Sequence, residues 1–197
     1  MIQQKRWIRT LLTSVFLVGA INAFCADQYE IDPVHSTLGF AIKHLQVGTT
    51  RGQFDNYVGD IYFDPQDDAS FKADVTIQAD SIDTRNTKRD DHLRTADFFD
   101  VANFPTITFK SQKLERQGDS TVMTGDLTIK AVTKTISIPV TIAGPVEGPG
   151  VTVIGINGEI TINRQDYNIK FSKMLDNGGL MVGDQVHLVI EIEAHKK

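Results

Sequence analysis

From residue 36 onward the chain keeps a period of two. Leu38, Phe40 and Ile42 alternate with Gly39, Ala41 and Lys43. Phe71, Ala73, Val75, Ile77 and Ala79 alternate with Lys72, Asp74, Thr76 and Gln78. Ile136, Ile138, Val140 and Ile142 alternate with polar residues and Pro139, and Val186, Leu188, Ile190, Ile192 and Ala194 with mostly polar ones. Successive side chains of an extended chain point to opposite faces. Each run is therefore a strand with one apolar and one mostly wet face. Weaker strands are expected near 51–64, 106–116, 120–130 and 151–163. In 51–64 the apolar phase shifts between Phe54 and Ile61 with Phe63, which predicts a bulge over Asp55 to Tyr57. Pro139, inside a run, predicts an edge or a bulge. Turns are expected at Gln117 to Asp119, Gly144 to Gly150 and Asp176 to Gly179.

These strands predict an all-β fold of about eight antiparallel strands, a closed barrel or a sandwich. A sandwich leaves edges to protect. An eight-stranded barrel is just wide enough to be filled by side chains or to hold one small ligand. One segment breaks the alternation. Thr84 to Ala102 is highly charged, and Asn86 or Thr87 is placed to cap a short helix with Asp90 and Asp91 in its first turn. A second turn over Thr95 to Phe99 would bury Phe98 or Phe99, and Pro105 forces extension into the next strand.

The first residues predict a secretory signal peptide over 1–26. Lys5, Arg6 and Arg9 precede an apolar run from Leu11 to Ile21, and Asn22 to Ala26 offers the cleavage region. The run is shorter than the about 20 residues of a permanent span. The single cysteine, Cys25, falls at that boundary, so the domain over 27–197 is expected to lack disulfides. The leader holds three of the 20 Lys and Arg residues and none of the 25 Asp and Glu residues, leaving a formal charge of −8. That balance argues against nucleic acid, which demands a basic face. An outer-membrane barrel is disfavoured as well. Lys72, Asp74, Glu191 and Glu193 would face lipid, where a midplane Lys costs about 2–4 kcal/mol.

Several stretches then carry a resemblance. They are Ile31-Asp32-Pro33-Val34-His35-Ser36, Arg51-Gly52-Gln53-Phe54, Asp83-Thr84-Arg85-Asn86, and Arg89 through Val101 with Phe104-Pro105-Thr106. Thr124-Gly125-Asp126-Leu127, Val132-Thr133-Lys134 and Asn163-Arg164-Gln165-Asp166-Tyr167 continue the series. Together, in order and over nearly the whole domain, they resemble the YceI family of periplasmic proteins. The resemblance implies a lipocalin-like barrel with a short helical segment near its mouth. It also implies an elongated cavity for an isoprenoid quinone, a polyprenyl phosphate or a fatty-acid-like lipid. Two positions depart from the family pattern. Ala131 stands where Gly is usual before Val-Thr-Lys, so that turn is expected to use another geometry. Asn168 stands where Gly usually follows the aromatic residue, and Asn tolerates positive φ.

The candidate ligand surface is the inner apolar face. On the early strands it comprises Phe40, Ile42, Phe54, Phe63, Val75 and Ile77, and on the later ones Phe109, Leu127, Ile138, Val140, Leu188 and Ile190. Periodicity does not separate a ligand channel from a filled core; the resemblance favours the channel. His44 shares the inner phase, and Arg85, Arg89, Asp91, His92 and Arg94 are placed to line the mouth and meet a headgroup. A solvated helix with paired charges reads equally well. The five histidines have no ligand spacing, so no metal site is expected. Asp32, His35 and Ser36 are too compact for a triad to be inferred, and neither a nucleophile elbow nor a phosphate loop appears. The reading is a periplasmic carrier of a long-chain lipid, not an enzyme, with no cofactor and no membrane span after cleavage. A homodimer and a membrane redox or lipid-handling partner are compatible with it. The rivals are a lipid-modifying enzyme using the same cavity and a filled barrel serving as a stress-response interaction module.

Overall fold

The structure is a computed structural model that describes residues 26–118, 120–174 and 179–197. The leader read at 1–26, apart from Ala26, lies outside the described residues, as do Asp119 and most of the turn at 176–179.

The strands are β1 (Asp27–Ile31), β2 (Thr37–His44), β3 (Gly48–Phe54), β4 (Tyr57–Phe63), β5 (Lys72–Gln78) and β6 (Ile82–Asp83). After helix α1 (Thr87–Arg94) come β7 (Thr106–Gln117), β8 (Ser120–Ile129), β9 (Val132–Gly148), β10 (Val151–Asn163) and β11 (Val182–Lys196). Every pairing among the named strands is antiparallel. Eight of the strands close a ring in the order β1-β4-β5-β7-β8-β9-β10-β11 and back to β1. The expected barrel is thus the observed one, with a short helix. Among the described residues no helix is long and apolar enough to cross a membrane.

The remaining strands, β2-β3-β6, form a wing that branches from β11. β11 pairs with β1 through Ala194 to Lys196, and with β2 from Val182 to Glu191. Between those partners the chain loops out over 32–36, opposite Glu193. This branch corrects one expectation. There is no bulge over Asp55 to Tyr57; β3 ends at Phe54, paired with Leu38 and Ile82, and β4 starts at Tyr57, paired with Ile77. The apolar phase resets because the chain changes neighbours.

Other turns differ as well. β9 runs on to Gly148, so the expected 144–150 turn contracts to Pro149 and Gly150, and the irregularity sits instead in the β9–β10 ladder between Val153 and Gly155. Pro139 stands where β9 hands over its partners: the ladder to β10 begins at Val140, where that to β8 ends. The turn before β9 does use left-handed backbone. Lys130 has φ 49° and Ala131 φ 58°, the two-residue hairpin geometry with positive φ at both positions. Holding Ala131 there costs about 1–2 kcal/mol. Asn168 takes φ 59°, as its residue type allows.

The interior packs as two clusters. One holds Tyr29, Ile61, Phe63, Phe71, Ile154 and Ala194. The other, with Ala79, Phe98, Ile107, Tyr167 and Ile169, packs against Leu93 of α1 and Phe99 just after it. The helix offers little apolar surface itself, and polar bonds hold it. Asn86 caps it by accepting from the Arg89 amide, as expected. The buried Asp90 carboxylate accepts from the amide and hydroxyl of buried Thr84, and Arg89 donates to the Thr84 hydroxyl and carbonyl at 2.7 Å each. Asp90→Ala is expected to cost about 2–3 kcal/mol, since two buried donors lose a charged acceptor. Urea denaturation checks this, and a change within experimental error would refute the tether.

Candidate functional site

Between the two clusters lies a cavity of about 160 Å³. Its cause is visible in the burial of the strands. On the inner face of β10, Ile154 and Ile156 are sealed. On the inner face of β2 and β11, Leu38, Phe40, Val186, Leu188 and Ile190 are only partly buried. Those side chains border empty space. An apolar void of about 150 Å³ stays dry and takes up a benzene-sized ligand, so the cavity as it stands accommodates about one five-carbon unit.

Nine residues expected on the ligand surface line this cavity: Phe40, Phe54, Val75, Ile77, Phe109, Leu127, Ile138, Leu188 and Ile190. The other candidates do not. Phe63 is 3% exposed and packs on Phe71, and Val140 is likewise part of the sealed cluster. Ile42 lies beyond the lining, paired with Thr50 and Val186, and His44 is exposed at the end of β2. Phase along a strand tells which residues point inward, but not which of them meet a neighbour and which meet a void.

The cationic candidates part company. Arg94 is committed to structure: its guanidinium donates to the Asp80 and Ile82 carbonyls at 2.7 and 3.0 Å and reaches Asp91 at 3.2 Å. His92 bonds Asp97 at 2.8 Å and sets its ring edge-on to Phe98 and Phe171. Arg85, in left-handed backbone, lies in a second, polar groove with Arg51 and His187. Gly39, Phe40 and Val189 border both the groove and the apolar cavity.

Several residues of the site were not singled out from the sequence. A Cβ on Gly52 would stand 2.6 Å from the Phe40 ring, and one on Gly125 would stand 2.5 Å from the Phe109 ring. These glycines leave room for the two rings on the neighbouring strands, and both rings border the cavity. Arg164 and Tyr167 also border the cavity. All four stand within the family-like stretches, and that was the signal available.

Among the described residues the lining holds no Ser, Cys, His, Asp or Glu; its charged and phenolic side chains are Arg164 and Tyr167. Arg164 is 3% exposed and is spent on the Gly183 and Ile169 carbonyls and on Asp184. The Tyr167 hydroxyl is buried without a hydrogen-bond partner among the described residues, and its pKa is pushed up to about 12, first by burial and then by the charge of Asp166. The folded protein therefore keeps this proton where the unfolded chain releases it. Stability falls as pH rises past 10 toward 12. Tyr167→Phe removes an unsatisfied polar atom. It is expected to leave stability unchanged or raise it by up to about 2 kcal/mol, and to flatten the alkaline decline. Denaturation at neutral and alkaline pH measures both; a clear loss of stability at neutral pH would show that the hydroxyl is bonded.

Two of the five histidines depart from the expectation that they stay scattered, while His44, His92 and His187 remain apart from that group. Asp32, His35, Glu193 and His195 converge, with one donor atom from each lying within 4.8 Å of the others. Residues 160 positions apart meet through strand pairing, which ligand spacing along the chain does not display.

Comparison with known proteins agrees with this architecture. A family model described as YceI-like domain matches residues 29–194. A UPF0312 protein of Staphylococcus aureus (strain N315) is 38% identical over 162 residues, covering 80% of this chain and 91% of that protein. The crystal structure of Burkholderia cenocepacia BcnA matches with TM-score 0.72 at 27% identity, over 83% of this chain and 98% of that one. The Campylobacter jejuni YCEI protein matches with TM-score 0.67 at 37% identity, over 79% and 90%. A polyisoprenoid binding domain from Saccharophagus degradans, implicated in plant cell wall breakdown, shares the fold with TM-score 0.64 at 16% identity, over 86% and 98%.

Proposed function

The chain belongs to the YceI-like domain family, and on that premise we propose that it is an exported carrier that holds one long apolar ligand, a polyisoprenoid quinone or prenyl phosphate, inside its barrel. The observation that carries this reading is the cavity, apolar and bordered by partly buried inner-face residues on β2 and β11. A filled barrel would seal that face. The fold shared with the Saccharophagus degradans domain supports the choice of ligand. The leader-like order of Lys5, Arg6 and Arg9, the apolar run and the Asn22 to Ala26 cleavage region supports a periplasmic location.

The energetics suit such a ligand. Burying one five-carbon unit yields about 4 kcal/mol gross, at about 0.8 kcal/mol per carbon. Immobilisation costs at least about 4 kcal/mol, so the first unit breaks even and each further buried unit supplies affinity. A second unit requires the partly buried side chains of β2 and β11 to give way toward the wing. The mechanism is reversible sequestration. Among the described residues the lining pairs no Ser, Cys or His nucleophile with a base, which supports carriage over turnover.

Native mass spectrometry with lipid extraction of protein purified from its own host is the test. A co-purifying prenyl lipid, or uptake of added polyprenol or quinone, is the expected result. Protein that arrives empty and ignores both additions would overturn the proposal.

A further inference from the structure

Away from the cavity, β11 changes partner on the outer wall. The chain loops out over 32–36 opposite Glu193, between β1 and β2. Four side chains meet there. Glu193 and His195 stand two apart on the outward face of β11, with Ile192 and Ala194 buried on the other. Asp32 and His35 come from the loop.

Four of the six donor–donor distances scatter about the spacing of a tetrahedral set. Zinc bonds of about 2.0–2.1 Å to nitrogen and oxygen place tetrahedral donors about 3.3 Å apart. Here His195 Nε2 lies 3.4 Å from Asp32 Oδ2 and 3.0 Å from Glu193 Oε1. His35 Nδ1 lies 2.6 Å from Asp32 Oδ2 and 3.9 Å from Glu193 Oε1. Shared protons hold the closest pairs, and a cation would replace them with small side-chain shifts. Two imidazoles with two carboxylates suit zinc and its first-row neighbours. Magnesium and calcium want oxygen donors throughout.

The framework behind the donors is fixed independently of them. The Ser36 hydroxyl donates to the Glu193 carbonyl at 3.1 Å and accepts from the Glu193 amide at 3.0 Å. The Asp32 amide donates to the same carbonyl at 2.9 Å. Buried Tyr57 donates its hydroxyl to the Ser36 carbonyl at 2.7 Å. The second Asp32 oxygen accepts from the Val34 amide at 2.9 Å, which aims Oδ2 at both histidines. Such outer bonds orient metal ligands. The Asp32 side chain is 13% exposed and that of His35 63%, so the site is anchored at its base and open to an arriving ion. Two carboxylates balance a divalent charge.

We propose that Asp32, His35, Glu193 and His195 form a binding site for a divalent transition-metal cation, with zinc the best fit. A bound ion would clamp the loop to β11 at the point where the ring and the wing part.

The test uses protein treated with EDTA and dialysed, then titrated with Zn²⁺ or Co²⁺ salts alone. Calorimetry is expected to show one Zn²⁺ per chain, and Co²⁺ to give the visible absorption of a tetrahedral site. His35→Ala and His195→Ala are each expected to weaken Zn²⁺ binding at least tenfold. Both side chains lie on the outer wall, and circular dichroism verifies that the barrel persists. His187→Ala, beside Glu159 elsewhere on the outer wall, is expected to change nothing. Absence of binding, binding unchanged in both ligand variants, or equal weakening by His187→Ala overturns the proposal. None of these readouts depends on whether the barrel carries lipid.

Discussion

Arg164→Ala is expected to destabilise the barrel by about 3–5 kcal/mol, the loss typical of a buried, fully bonded charge removed from one side of its network. The guanidinium donates to the Gly183 carbonyl at 2.8 Å, the Ile169 carbonyl at 2.7 Å and Asp184 at 2.9 Å. It thereby ties the turn after β10 to the start of β11. Burial pushes its pKa down, and Asp184 pulls the other way. Asp184 is 34% exposed and can turn to water once its partner is gone. Most of the cost therefore falls on the stranded carbonyls and the void. Arg164→Lys is expected to recover little, because one ammonium cannot reach both sides of the fork. Urea denaturation of the three proteins decides the matter. A lysine variant as stable as the original would show that charge alone matters.

Ile190→Trp is expected to abolish lipid uptake, by at least about a hundredfold in affinity, while costing little stability. Excluding a single five-carbon unit forfeits about 4 kcal/mol of apolar transfer. Ile190 sits mid-strand on β11, opposite Leu38 on one side and Gly158 on the other, and borders the cavity. In a close-packed core, such an enlargement costs about 1–3 kcal/mol through forced rotamers. In a hollow barrel the indole occupies the ligand's space. The two readouts separate the cases: equilibrium denaturation reports packing, and native mass spectrometry with added polyprenol reports occupancy. A strongly destabilised variant would mean that the barrel is filled. A stable variant that still loads lipid would place the ligand elsewhere.

The strands were legible because alternation is a local property. Phe71 to Ala79 shows it without ambiguity, and so does Val186 to Ala194. What joins the strands is not local. The reset between Phe54 and Tyr57 reads alike for a bulge and for a change of neighbours. The β1–β11 closure and the branch at Glu193 depend on residues more than 150 positions apart. The site was legible in the same partial way. Inward phase placed Phe109 and Leu127, but it also admitted Phe63, which is sealed against Phe71. Arg94 suggested a headgroup contact because an arginine's partners are invisible until carbonyls such as those of Asp80 and Ile82 are positioned. Gly52 and Gly125 were marked only by standing in family-like stretches; their task was hidden, since the rings they accommodate sit on neighbouring strands.

The branching of β11 also bears on the order of assembly. Its 15 residues serve three partners: β10 along one edge, and β2 and β1 in succession along the other. Until β11 emerges from synthesis, all three partners carry bare edges, and such edges invite association with other chains. A single late strand then covers them together. Its pairing with β1 is among the longest-range contacts in the chain, so closure waits on a slow search in sequence space.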